Sequence, residues 1–105
     1  MSLVPGAVPE GRFAQDGDAW RYEGALVLDN AARVLAEADS LPLPASGVVD
    51  FAALERADSV ALAVIMALRR RATAEGRALS VRNLPAGLSS LALAYGVVEL
   101  VHDDA

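Results

Sequence analysis

Cysteine and lysine are both missing from the 105 residues, and histidine occurs once, at position 102. Without cysteine there are no disulfides, thiolate nucleophiles or cysteine-type zinc sites. Without lysine there is no Gly-x-x-x-x-Gly-Lys-Ser/Thr phosphate loop, and no Gly-x-Gly-x-x-Gly follows a candidate strand. A Ser-His-Asp arrangement lacks a supported base, because His102 lies in a polar tail. Asp50 and Asp58 flank the central strand and loop, but with no histidine, cysteine or glycine-rich calcium loop nearby they make a poor metal site. No catalytic template remains, so the sequence reads as a binding module, with no enzyme activity and no cofactor expected.

Other shortages narrow the class further. The net charge of −5 argues against nucleic acid as a ligand, since phosphate neutralisation needs clustered cations. Aromatics are only 5% of the chain, so the interior is expected to rest on Ala, Val and Leu. The longest apolar run, Val60 to Leu68, falls short of the roughly 20 residues that span a bilayer. The N-terminus has no basic segment followed by an apolar run, so no secretory signal is expected. An acidic, cysteine-free domain fits the cytoplasm.

What is there reads as one domain over 12–101, after a loose Pro- and Gly-punctuated lead-in at 1–11 and before a polar tail at 102–105. Asp16-Gly17-Asp18 between two candidate strands signals a hairpin. Trp20 and Tyr22 share one face of the second strand with Arg21 on the other, for packing or for stacking on a ligand. Asp29 and Asn30 are capping candidates for a first helix, which Leu41-Pro42-Leu43-Pro44 ends. A central strand over Val48–Phe51 has no polar alternation and is expected to be covered on both faces. A short polar loop and a long helix from about Ser59 to Glu75 follow, with Gly76 placed to stop it. Then come a strand at Leu79–Val81, a helix opened by Pro85 and stopped at Gly96, and a last strand or turn at Val97–Val101. The order β-β-α-β-α-β-α-β predicts an α/β fold: a mixed, mostly parallel sheet with an antiparallel edge hairpin, packed by about three to four helices.

The stretch Val48–Leu68 organises the rest, and Asp58-Ser59 at its elbow is its most informative polar feature. Ser59 supports three readings: a plain helix N-cap, a phosphate acceptor whose charge the helix dipole would stabilise, or an unmodified contact within a docking surface. Arg69, Arg70 and Arg71 form the sole basic cluster. They complement the negative end of the helix dipole, or they make a docking patch for an acidic partner or anionic head groups.

The run Val49-Asp50-Phe51 … Arg56-Ala57-Asp58-Ser59-Val60-Ala61-Leu62-Ala63-Val64-Ile65 resembles the signature of the STAS domain family, shared by sulfate-transporter tails and anti-sigma factor antagonists. Gly24 stands where the family has glycine after its first long strand. Ala67-Leu68-Arg69-Arg70-Arg71-Ala72 and Asn83–Ala92 with Tyr95-Gly96-Val97 resemble one branch of that family, the small subunit of phospholipid-transporting ABC complexes. The resemblance implies a non-catalytic protein that binds an ABC transporter ATPase subunit at the inner membrane. Asp58, Ser59, Val60, Leu62 and Ala63 would then lie in the contact surface. The alternative it implies is an anti-sigma factor antagonist switched by phosphorylation of Ser59. Ala61 departs from the glycine that many phosphorylated members carry two residues after the serine.

Overall fold

In the computed structural model, residues 10–96 are described. The expected last strand at Val97–Val101, the tail around His102 and nearly all of the lead-in lie outside them. The elements run β1 (Gly11–Asp16), β2 (Ala19–Leu26), α1 (Leu28–Asp39), β3 (Val48–Ala57), α2 (Val60–Ala74), β4 (Ser80–Arg82) and α3 (Ala86–Ala94). They form one sheet in the order β1-β2-β3-β4, with β1 and β2 antiparallel and the rest parallel. Gly17, at φ +63°, takes the hairpin turn, and Gly76, at φ +71°, follows the last residue of α2's cap as expected.

The sheet order explains which face is covered. The β2-α1-β3 and β3-α2-β4 crossovers both step to the next strand in the same direction. Two right-handed crossovers of that kind lay both helices on the same face. Val49 and Phe51 of β3 are accordingly buried, while Val48 and Asp50 are half-buried and Ala52 is exposed. The expectation of a strand covered on both faces is thereby corrected. The covered face holds a cluster of four aromatic rings, although aromatics are scarce in the chain. Phe13 stands edge-on to Tyr22 at 4.8 Å between centroids and 5.4 Å from Trp20, and Tyr22 stacks on Phe51 at 6.0 Å. Against these rings the helices bring small and aliphatic side chains, among them Ala31, Val34, Ala61, Ile65, Leu68 and Ala72. Ligand stacking by Trp20 and Tyr22 is excluded by this packing, since both rings are buried in the core.

β3 is longer than the sequence suggests. The polar residues read as a loop, Glu55 and Arg56, belong to the strand, which stays paired with β2 as far as Leu26↔Ala57. Two irregularities in the register, between Arg21 and Glu23 and between Gly24 and Ala25, absorb the extra residues. Asp50 holds the first: one carboxylate oxygen accepts the Ala52 N–H at 2.8 Å and the Asn83 side-chain amide at 2.9 Å. Gly24, at φ +90°, sits at the second, where a Cβ would stand 2.5 Å from the Glu10 carbonyl oxygen. Only glycine fits there without moving backbone.

Candidate functional site

The C-terminal ends of β2 and β3 deliver the chain to the starts of α1 and α2, which meet side by side. Below the surface a buried polar knot fixes α1. Asn30, 1% exposed, accepts the Val27 N–H at 3.0 Å and donates to the Ala25 carbonyl at 2.9 Å. That carbonyl also accepts the Tyr22 hydroxyl at 2.6 Å. Burial pushes the Tyr22 phenol up to about 12, with the Arg33 charge opposing. Asn30 therefore caps α1 from its third position, and the helix begins at Leu28, earlier than the Asp29-Asn30 pair suggests.

On the surface, Asp58 joins the two helix starts. One of its carboxylate oxygens accepts the Val60 N–H at 3.0 Å, and the other accepts the Leu28 N–H at 3.0 Å. Its backbone carbonyl accepts from Ala61 at 3.1 Å. Each bond occupies a donor that a helix start leaves without a partner inside the helix. Asp58, and not Ser59, is thus the side chain that caps α2. Ser59 already has helical backbone angles, its carbonyl accepts the Leu62 N–H at 3.1 Å, and its hydroxyl makes no cap bond. Ser59 is exposed, so its hydroxyl stands at the positive end of the helix.

The other residues of the expected contact surface divide. Asp58, Ser59 and Ala63 are exposed and Val60 is half-buried. Leu62, at 2% exposed, packs in the core and cannot touch a partner. Ala61, the departure from glycine, is buried too, so its methyl faces inward and leaves the surface unchanged. Two residues belong to this surface that the sequence reading missed. Leu28 is 73% exposed directly beside Asp58, and Arg56 is exposed between two shallow clefts. One cleft, of about 340 Å³, is lined by Val27, Leu28, Asp29, Arg56, Ala57 and Asp58. The signal for Leu28 was available: in Leu26-Val27-Leu28 the first two side chains are taken by the core, which leaves the third at the helix start.

The three arginines of α2 do not form one patch. Arg71 donates to the carbonyls of Ala38 at 3.0 Å and Leu41 at 2.5 Å and pairs with Glu75 at 3.0 Å. Arg69 donates to the Leu79 carbonyl at 2.9 Å. Only Arg70 is exposed, so the expected docking cluster reduces to one outward cation while the other two tie α2 to neighbouring loops. Asp50 lies near the start of β3 and Asp58 just past its end, and each is engaged with backbone, as described above.

With this geometry in view, the comparison with known families is decisive at the level of class. Residues 13–102, most of the chain, match the family model described as MlaB, STAS domain. The chain belongs to the STAS domain family, in its MlaB-like form. That family is generally non-catalytic. No curated protein matches the chain significantly. No helix among the described residues is long and apolar enough to cross a membrane.

Proposed function

We propose that this chain is a non-catalytic, MlaB-type accessory subunit that binds the MlaF-type ATPase of a phospholipid-transporting ABC system. It would work in the cytoplasm, held at the inner membrane through that complex, in the maintenance of outer-membrane lipid asymmetry. The observation that carries the reading is the elbow itself: an exposed Leu28 and an exposed Ser59 whose hydroxyl makes no cap bond. An apolar anchor with a small polar neighbour, set on helix starts that Asp58 and Asn30 hold rigid, suits a protein contact. Rigid placement limits the entropy lost on docking.

Co-expression with the MlaF-type ATPase subunit and affinity capture test the proposal. The native chain and Ser59→Ala should retain the ATPase, and Ser59→Glu should lose it. Unchanged capture by Ser59→Glu removes the elbow from the contact. A second reading, an anti-sigma factor antagonist, draws support from the same exposed serine. It predicts phosphate on Ser59 in protein isolated from cells, which intact-mass and peptide mass spectrometry would detect.

A further inference from the structure

We propose that β1 is a docking edge for a second copy of this chain, pairing antiparallel, strand to strand, about a two-fold axis at Ala14. The hairpin fixes which backbone groups are free. A two-residue turn closes on a hydrogen-bonded pair, here Asp16↔Ala19, so Ala14↔Arg21 and Arg12↔Glu23 are hydrogen-bonded pairs as well. The same alternation is seen one residue earlier on that edge, where the Glu10 carbonyl turns toward β2 and accepts the Ala25 N–H at 2.9 Å. The N–H and C=O groups of Phe13 and Gln15 therefore point away from β2, along an edge that carries no further strand among the described residues.

Two copies related by a two-fold axis at Ala14 place Phe13 of one opposite Gln15 of the other. Those are the residues whose free groups point outward, so four hydrogen bonds form, two at each end of the axis. The pairing is bounded on both sides. Arg33 already donates to the Gly11 carbonyl at 3.3 Å, and Gly17 has left the strand for the turn. Ala14 falls on the axis, at a close non-hydrogen-bonded position where a small side chain avoids its own copy.

The charges decide the register. With the axis at Ala14, Arg12 of each copy stands opposite Asp16 of the other, in the positions where facing side chains come closest. Both residues are exposed on the face that the helices leave open. An axis at Phe13 sets Arg12 against Ala14, and one at Gln15 sets Asp16 against Ala14; neither forms the pairs. Among the described residues, Arg12 has a loose, exposed partner at home, Glu23 at 3.4 Å, which it can keep while reaching Asp16 of the second copy. Charges on an edge strand ordinarily discourage pairing; here the two-fold operation turns them into complements.

The edge is separate from the elbow, so the test needs no ATPase. Sedimentation velocity of the full chain over a wide concentration range should show reversible monomer–dimer exchange. Arg12→Asp and Asp16→Arg, each altering two ion pairs per dimer, should each weaken the dimer about tenfold. The double swap should restore it. Amide exchange gives a readout without substitution: Phe13 and Gln15 N–H groups gain protection as concentration rises, while Arg12, Ala14 and Asp16 are already protected. A chain that stays monomeric throughout, a dimer indifferent to either single swap, or one that the double swap fails to restore would overturn the proposal.

Discussion

At the end of the sheet where β3 begins, arginine side chains take up carbonyls at the end of α1 and along the loop after it. Arg77 reaches Leu43, Pro44 and Ala45, the Pro44 contact being 2.5 Å, while Arg71 takes Ala38 and Leu41. Ser46 adds two bonds to the Asp18 carbonyl, from its N–H at 2.9 Å and its hydroxyl at 2.8 Å. At the end where β3 finishes, the Asp58 carboxylate and the buried Asn30 hold the elbow, and Leu28 and Ser59 stand exposed. The two ends have the same kinds of groups available but use them differently. One end's polar atoms are spent on its own backbone; the other keeps a rigid base and an unspent surface. Internal satisfaction of that kind marks scaffold; the exposed residues over the rigid base are the ones the proposed contact would use.

The comparison can be broken first at the arginine end. Arg77→Ala removes a charged donor from three carbonyls and should cost about 2 to 3 kcal/mol in urea unfolding. A loss below about 0.5 kcal/mol would mean these bonds are decorative. Beneath the elbow, Tyr22→Phe removes the hydroxyl bond to Ala25 and should cost about 1 kcal/mol at neutral pH. The same variant sharpens a pH effect. Because burial raises the folded-state phenol to about 12, above the ordinary value of 10.0, the folded chain holds this proton more tightly than the unfolded one. Stability from Tyr22 is then fully present below pH 10 and declines as pH rises toward about 12. Unfolding measured across that window should show a steeper alkaline loss in the native chain than in Tyr22→Phe. On the surface, Asp58→Ala should cost about 1 kcal/mol through two lost caps. Ser59→Ala should change stability least, by under about 0.5 kcal/mol, since that hydroxyl caps nothing and alanine favours helix.

How far these features could be read from the chain depends on the range of the interactions behind them. Local signals carried well: Asp16-Gly17-Asp18 turned a hairpin, Gly76 followed α2, and Pro85 stood at the start of α3. The alternation of Trp20, Arg21 and Tyr22 matched its burial. What misled were residues whose role depends on distant backbone. Glu55 and Arg56 look like loop, but Arg56 pairs with Ala25 and Glu55 is the residue passed over at the register shift, so the polar segment continues the strand. Arg69 and Arg71 look like a charged patch, yet their partners, Leu79, Ala38 and Leu41, come from other segments. Leu62 sits next to an exposed residue in sequence and faces the core in space, a consequence of helical periodicity. Asp58-Ser59 was found as a pair, but which of them caps the helix required the position of Leu28 as well.

Hydrogen exchange of the chain with and without the proposed ATPase partner tests the central claim most directly, because both ends of the sheet are read in one experiment. Binding should slow exchange at residues 28–29 and 58–63 and leave residues 38–46 as they were. Protection confined to 38–46, with the elbow exchanging as freely in the complex as alone, would contradict the account.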